Sequence, residues 1–274
     1  MDKIDILKKI ETELKIQGKS QRTIRMYCYF NRKFIEFANK EPEQITTDDI
    51  KAYLAELISK GNNAASLALA RSSLKYFYDE MLEKGIMAKI KTPKRHRKIP
   101  DVLTKEEVKL LIENAGSLRN KLLIEIMYAS GLRVSECASL KVDDLNLKEK
   151  NGLLKHGKGG KDRFFILSEQ VIADLGQYLK QNSGNTYLFP GTKGPITAKA
   201  IQDVIKRVAK RTDIKKHVHC HGLRHAFATH LLEAGTDIRV IQELLAHSNL
   251  QTTQFYTQIS KQQLMRVKSP MDSL

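Results

Sequence analysis

The feature that most restricts the fold is the stretch from residue 219 to 258, where histidines, arginines and a tyrosine alternate with helical patterns and a glycine. If residues 221–234 are helical at about 100° per residue, His221, Arg224 and His225 fall within one arc of about 100°. The other side of this helix carries apolar residues that we expect to be buried: Leu223, Phe227, Leu231 and Ala234. The pattern predicts a cationic face opposite a buried stripe.

The next segment predicts a turn and a second helix. Gly235 is suited to end the first helix in the left-handed conformation, and Thr236 or Asp237 can cap the following one. That helix ends near His247, where the helix dipole favours a charged or hydrogen-bonding imidazole. Tyr256 follows nine residues later. We therefore expect an arginine, imidazoles and a phenol to converge.

This combination of side chains suits attack on a phosphodiester. A guanidinium binds phosphate oxygens in a planar fork and stays charged at any working pH. Histidine can donate to phosphate or accept a proton near neutrality. A tyrosine hydroxyl can form a covalent intermediate once a base and a cationic pocket stabilise the phenolate.

The same residues resemble the catalytic end of the tyrosine recombinase (integrase) family, in its Xer-like form. The motif texts are RVSE, GKGGKDR, HGLRHAFATHLLEAG and HSNLQTTQFYT, beginning at residues 133, 157, 221 and 247. Ala246 stands before the histidine, where the family more usually has glycine; we expect this small-for-small change to matter little.

The resemblance implies a role for each matching residue. Tyr256 attacks the scissile phosphate, Arg133 and Arg224 hold the non-bridging oxygens, and Lys158 protonates the departing 5′ oxygen. His221 and His247 hydrogen-bond the phosphate, and His221 is a candidate to take the phenol proton. Supporting roles fall to Glu136 and Asp144, which brace Arg133, and to His225. Neither a cofactor nor a metal is implied.

The charge indicates a polyanionic partner. The chain has 274 residues and a formal net charge of +16, of which +4 falls in residues 1–91, +3 in residues 92–101 and +9 in residues 102–274. A basic excess spread over both halves predicts a long contact with double-stranded DNA. No apolar segment reaches membrane-spanning length and the first residues contain no signal core, so we expect a cytoplasmic protein. Three distant cysteines, Cys28, Cys137 and Cys220, predict reduced thiols.

The predicted fold is mainly α-helical with two domains. Residues 1–91 read as a four-helix, SAM-like core-binding domain, with helix starts at Ser20, Thr46 and Asn62 or Asn63. We expect the aromatic residues at helical spacing in its second helix, the last of which is Phe37, to lie in the core, and the fourth helix to run without a break to Lys84. Residues 92–101, which contain two prolines and four Lys or Arg, read as a basic interdomain linker. Residues 102–274 read as an α-rich catalytic domain that opens with a capping box at Thr104. The resemblance implies that the two domains form a C-shaped clamp on DNA.

Within the catalytic domain we expect a small β-hairpin from residues 152–156 and 163–167, around a glycine-rich turn. That turn lacks the spacing of a phosphate-binding P-loop, so nucleotide binding is not expected. Exposed basic residues in both domains and the linker are candidate DNA contacts: Lys19, Arg22, Arg25, Arg71, Lys75, Lys94, Arg95, Arg97, Lys98, Lys199, Lys206 and Arg207. Such contacts would position the duplex rather than read its sequence.

Three alternative functions stay open at the level of sequence. Histidines and a cysteine between residues 217 and 225 could form a zinc site of a hydrolase, although paired-cysteine and HExxH patterns are missing. A DNA-binding regulator with an inactive catalytic domain would bind without strand transfer. A type IB topoisomerase uses similar covalent chemistry.

The resemblance also implies partners. A homotetramer on two synapsed duplexes would exchange strands through a Holliday junction, with exchange of the C-terminal tail between protomers. The sequence names neither the DNA site nor an accessory protein. It leaves open whether the reaction is chromosome dimer resolution or integration and excision of a mobile element.

Overall fold

The computed structural model describes residues 3–88, 90–93, 101–155 and 162–245, with only the backbone for residues 3 and 4. The chain divides into two compact units, residues 1–98 and 99–274. The expected linker at 92–101 therefore spans the division, but residues 94–100 lie outside the described residues and its exact limits stay a prediction. No helix in the described part of the chain is long and apolar enough to cross a membrane.

The described part of the first unit contains four α-helices, as predicted. Its helices are α1 (Lys3–Ile16), α2 (Gln21–Ala38), α3 (Thr47–Ser59) and α4 (Ala64–Lys75). Three of them begin at side-chain caps, since the oxygens of Ser20, Thr46 and Asn63 accept backbone N–H groups of the first turn. The helix starts expected from the sequence are thus confirmed.

Two details of this unit differ from expectation. The α4 helix does not continue unchanged but winds into a π-helical turn over Tyr76–Met81. Phe37, expected in the core from its spacing on α2, is 43% exposed and only touches the edge of the core through the ring of Tyr53, at a centroid distance of 5.4 Å. The other aromatic residues at this spacing, Tyr27, Phe30 and Phe34, are buried or half-buried, so the helical spacing identifies most of the core residues of α2.

The second unit surrounds a larger core with helices and two small sheets. Its helices are α5 (Lys105–Glu113), α6 (Leu118–Ala129), α7 (Val134–Ser139), α8 (Glu169–Gln181), α9 (Ala198–Ala209), α10 (Cys220–Glu233) and α11 (Ile238–Leu245). The capping box at Thr104 is present. The Thr104 hydroxyl oxygen accepts the backbone N–H of Glu107, and the Glu107 carboxylate accepts the backbone N–H of Thr104 at 2.8 Å. The α-rich second unit expected from the sequence is therefore observed.

The hairpin is also present. Strand β2 (Asn151–Leu154) pairs antiparallel with β3 (Arg163–Ile166), and the short β1 (Leu145–Asn146) adds to the other edge of β2. Along β3 buried and exposed residues alternate: Arg163 and Phe165 point inward, whereas Phe164 and Ile166 point outward. An arginine thus occupies an inward position of a strand. A second small sheet pairs β4 (Pro190–Gly191) with β5 (Gly194–Pro195).

Helices α10 and α11 follow the predicted pattern of turn and cap. Gly235 has φ +90°, which ends α10 in the left-handed region, and the Asp237 carboxylate accepts the backbone N–H of Arg239 at the start of α11. The predicted faces of α10 need two corrections. Ala234 is exposed, because it lies at the helix end, and Arg224 is buried at 1% exposure instead of lining an exposed cationic face.

Candidate active site

The site begins at the N-terminus of α7, where an arginine and a glutamate close the first turn. Arg133 is the N-cap residue, and its backbone N–H donates to Glu136 Oε2 at 2.8 Å. Its guanidinium Nη1 donates to the other oxygen, Oε1, at 2.6 Å. The Arg133 side chain is 24% exposed, whereas that of Glu136 is 10% exposed. Glu136 therefore fixes Arg133 from the buried side, a contact that the family resemblance implied.

A second arginine, which the sequence reasoning missed, joins the same carboxylate. Arg163, at the start of β3, donates from Nη2 to Glu136 Oε2 at 2.7 Å. Its Nη1 donates to the backbone carbonyl of Leu244. The signal was available in the sequence, because an alternating strand pattern places Arg163 on the same face as Phe165, and a buried guanidinium requires a partner.

The third arginine approaches from the first turns of α10. Arg224 Nη1 donates to the backbone carbonyl of Gly131 at 2.6 Å, and Nη2 donates to the carbonyl of Leu245. Nη1 also lies 3.8 Å from Glu136 Oε2. Glu136 thus lies within ion-pair distance of three guanidiniums.

The electrostatics of Glu136 agree with this geometry. Burial alone would raise its pKa, but the charge of Arg163 and the hydrogen bonds of Arg133 bring the pKa below its usual value. The carboxylate is consequently ionised at neutral pH. Its negative charge allows the three like-charged guanidiniums to lie close together.

The C-terminal end of α11 completes this cluster. The carbonyl of Leu245 accepts from Arg224 and also from Arg133 Nη2, the latter at 3.3 Å. The last carbonyls of a helix have no partner within the helix and carry the negative end of its dipole. Here the carbonyls of Leu244 and Leu245 accept hydrogen bonds from the arginines. The last turn of α11 therefore contacts the same guanidiniums as Glu136.

Two histidines of α10 lie beside the arginines. The rings of His221 and His225 are edge to face. Burial lowers the pKa of His221, and the charge of Arg224 lowers it further. Burial lowers the pKa of His225 to about 4, and His221 adds to the shift. Both imidazoles are therefore neutral at pH 7, a state in which a ring nitrogen can accept a proton.

The structure brings some expected site residues together and leaves others apart. Arg133, Glu136, Arg224, His221 and His225 form one cluster. Asp144, expected to brace Arg133, instead accepts the backbone N–H of Lys141 at 2.9 Å and caps a short 3₁₀ turn. Its spacing from Glu136 along the chain did not indicate that the chain turns away after α7.

The remaining predicted residues of the catalytic set lie outside the described residues: Lys158, His247 and Tyr256. The candidate DNA contacts of the linker also lie outside the described residues: Lys94, Arg95, Arg97 and Lys98. Their roles stay predictions.

The basic candidates that are described lie mostly at the surface. In the first unit Lys19, Arg22, Arg25 and Lys75 are exposed, whereas Arg71 is half-buried and donates from Nε to the carbonyl of Ile90 at 2.6 Å. Part of the Arg71 guanidinium is therefore engaged in a hydrogen bond within the first unit.

In the second unit the basic candidates lie on the outer face of α9, opposite its buried Ile201 and Val204. Lys206 and Arg207 are exposed, and Lys199 pairs with Asp203 at 2.8 Å. A groove of about 640 Å³ runs from this face to the first turn of α10, and its lining includes Lys199, Lys206, Lys210, Lys216, His219 and His221. A basic surface thus leads to the arginine cluster.

The remaining histidines that the structure describes have contacts outside the arginine cluster. His230 Nδ1 lies 2.9 Å from the hydroxyl of Tyr128, and His219 Nδ1 lies 3.0 Å from the carbonyl of His217. Within the ranges that the structure describes, no three His, Cys, Asp or Glu side chains form a group that could hold a metal ion. The three cysteines are free thiols.

Comparison with known proteins agrees with the fold and the site. The phage integrase family matches residues 101–263, and the N-terminal SAM-like domain of phage integrases matches residues 6–87. The tyrosine recombinase XerA of Pyrococcus horikoshii is 40% identical over 266 residues, covering 95% of this chain and 91% of that protein.

Solved structures give the same result. A crystal structure of XerA recombinase matches at 32% identity with a TM-score of 0.58, covering 98% of this chain and all of that one. The XerH site-specific recombinase bound to its difH substrate, before cleavage, matches at 25% identity with a TM-score of 0.74, covering 91% of this chain and 79% of that one.

The family match and the Xer relatives thus define a DNA strand-cleaving and rejoining enzyme with a tyrosine nucleophile. The chain belongs to the phage integrase family, that is, to the tyrosine recombinases. The Xer-like resemblance of its motifs is confirmed by these relatives.

Proposed function

We propose that this chain is a site-specific recombinase in which Tyr256 is the nucleophile. The phenol oxygen attacks the scissile phosphorus, the bond to the 5′ oxygen breaks, and a 3′-phosphotyrosyl bond forms. The phenol proton passes to His221, and the 5′ oxygen takes a proton from Lys158. Attack by another 5′-hydroxyl reverses each step, so no external energy source is needed.

The observation that carries this proposal is the buried Glu136 with its three arginines beside a neutral His221. The carboxylate and the carbonyl of Leu245 fix Arg133 and Arg224 before any phosphate arrives. Fixed cations stabilise the charge that develops in the transition state without reorganisation at the moment of reaction. A guanidinium pair can thus fill the role that a divalent ion has in metal-dependent nucleases.

Double-stranded DNA is the expected partner, because the XerH relative was solved on its DNA substrate and this chain has the same family architecture. The basic face of α9 and the exposed cations of the first unit would hold the backbone. We further propose a homotetramer on two duplexes, with exchange of the C-terminal tail, acting in the cytoplasm where the DNA lies. Chromosome dimer resolution and movement of a mobile element both fit this chemistry.

The test is incubation with a library of nicked suicide duplexes in EDTA, followed by denaturing electrophoresis and sequencing of any DNA attached to protein. We expect a covalent adduct with the wild-type chain and none with Tyr256→Phe, although this variant still binds DNA. An adduct in the variant would overturn the nucleophile assignment.

Two other outcomes would replace the proposal. Binding without any adduct across the library would favour a DNA-binding regulator. Cleavage only after zinc replaces EDTA would indicate that the histidine-rich segment is a metal site.

A further inference from the structure

Arg163 is buried although the catalytic set predicted from the sequence does not include it. It is 7% exposed, and arginine is rarely buried without specific partners. Its Nη2 contacts Glu136 and its Nη1 contacts the carbonyl of Leu244. This one guanidinium therefore joins β3, α7 and the end of α11.

The contact with Glu136 divides the carboxylate between two arginines. Oε1 accepts from Arg133 Nη1, whereas Oε2 accepts from Arg163 Nη2 and from the Arg133 backbone N–H. With both oxygens bonded, the carboxylate plane cannot rotate without breaking a charged hydrogen bond. The direction in which Arg133 presents its guanidinium thus depends on Arg163.

The contact with Leu244 acts on the neighbouring carbonyl. Leu245, the next residue, accepts from Arg133 and Arg224. A shift of the α11 terminus would move that carbonyl relative to both arginines. Arg163 therefore holds two of the groups that position this pair.

We propose that Arg163 is a positioning residue for the strand-cleavage reaction, and that it acts through Glu136 and the end of α11 on Arg133 and Arg224. This rests on the proposed function. Arg163 does not touch the phosphate; it sets the geometry of the cations that do. Its loss would consequently slow the chemical step more than it weakens DNA binding.

The test compares Arg163→Lys and Arg163→Met in the full chain with the wild type. The rate constant of the first cleavage event is measured with protein in excess over a nicked suicide duplex, together with the Kd for the same duplex. We expect the cleavage rate to fall by about tenfold to a hundredfold, the effect of a misplaced catalytic group. The Kd should change by less than about threefold, since the α9 surface is intact.

The matched control is Arg119→Met. Arg119 is another part-buried arginine of the second unit, and it donates to the carbonyl of Pro190 at 2.8 Å. Its loss should leave the cleavage rate unchanged. An equal loss of rate in both variants would attribute the effect to general damage and overturn the proposal.

A second substrate separates positioning from a structural role. A methylphosphonate at the scissile position removes one negative charge, so stabilisation by the arginine pair matters less. We expect the penalty of Arg163→Met to shrink by about tenfold on this substrate. The same penalty on both substrates would overturn the proposal. A wild-type chain that forms no adduct on ordinary DNA would instead refute the proposed function.

A double variant tests the route of the effect. If Arg163 acts through Glu136, the cleavage defects of Arg163→Met and Glu136→Gln should combine to less than the product of their separate factors. Full multiplication of the two factors would show that Arg163 acts independently, against the proposal.

Discussion

The imidazole rings of His221 and His225 lie edge to face with their centroids 4.2 Å apart. Burial and the nearby charge of Arg224 favour the neutral form of both rings and lower the pKa of each, and His221 lowers the pKa of His225 further. A proton placed on one ring would be repelled by a proton on the other. The pair therefore keeps a proton acceptor available at slightly acidic pH.

This predicts the pH dependence of cleavage. His221 can accept the phenol proton only while neutral, so the rate should fall as the pH drops through its lowered pKa, which lies below the ordinary value of about 6.5. The first-turnover rate measured from pH 5 to 8 should thus be level near neutrality and decline only at lower pH. His230→Asn, a substitution outside the cluster, should not change the pH at which the rate declines. A limb centred above pH 7 would contradict the assignment.

Glu136→Gln should destabilise the second unit. The amide keeps the shape but removes the one carboxylate that the described residues place among three guanidiniums. Breaking such a buried pair costs about 3 kcal/mol. Urea unfolding followed by circular dichroism measures the loss. The control is Asp144→Asn, which alters only a cap on a turn and should cost about 1 kcal/mol or less. Equal losses of unfolding free energy in the two variants would contradict the prediction that Glu136 stabilises the arginine cluster.

Gly131→Ala should be damaging for a steric reason. Gly131 has φ +58°, and a Cβ there would lie 2.4 Å from Phe227 and 2.9 Å from Leu245, whose carbonyl holds both arginines. We expect a loss of about 2 to 4 kcal/mol from strain and overpacking, together with slower cleavage. Gly235→Ala also has positive φ but open space around the Cβ, so its cost should be about 1 kcal/mol. Thermal unfolding measures the stability of both variants, and a similar loss of stability in the two would rule out a steric clash as the cause.

Glu125 predicts a pH-dependent stability unrelated to catalysis. Burial raises its pKa to about 7, and the charge of Asp174 adds to the shift, although Lys121 lies 3.6 Å away. The folded state binds this proton more tightly than the unfolded state, so the stability should decline as pH rises from about 4.5 to about 7. Glu125→Gln should remove that decline and gain about 2 to 3 kcal/mol at pH 8 with little change at pH 4.5. An equal gain at both pH values would exclude titration as the cause.

DNA binding should depend on α9. Each phosphate contact contributes about 0.9 to the slope of log K against log salt concentration, so Lys206→Gln should lower the slope by about one. Lys109→Gln removes another exposed lysine, on α5, which pairs with Glu113 at 3.8 Å, and should not change the slope. Fluorescence anisotropy between about 50 and 200 mM salt gives both slopes. Identical slopes for the two variants would place the DNA elsewhere.

Much of the fold could be predicted because the signals are local. Caps at Ser20, Thr46 and Thr104 depend on residues within one turn, and the hairpin on alternation over a few residues. The π-helical turn over Tyr76–Met81 could not be predicted, because the sequence continues through it with helix-compatible residues and no glycine or proline.

The shared face of the α10 site residues could be predicted, but their burial could not. Helical spacing placed His221, Arg224 and His225 on one face, yet burial of Arg224 depends on the carbonyl groups of Gly131 and Leu245, which are distant in sequence. Alternation along β3 indicates that Arg163 points inward, but its partners come from α7 and α11. Spacing along one helix or strand carries no information about acceptors from other elements.

The buried residues of the two units form separate cores, and among the described residues no side chain belongs to both. A substitution in one of these cores therefore removes contacts from that core alone, and the two sets of core residues can change at different rates in evolution. Descendants of this chain could accumulate substitutions in the core of the helical first unit while the second unit kept Glu136 and its three arginines unchanged.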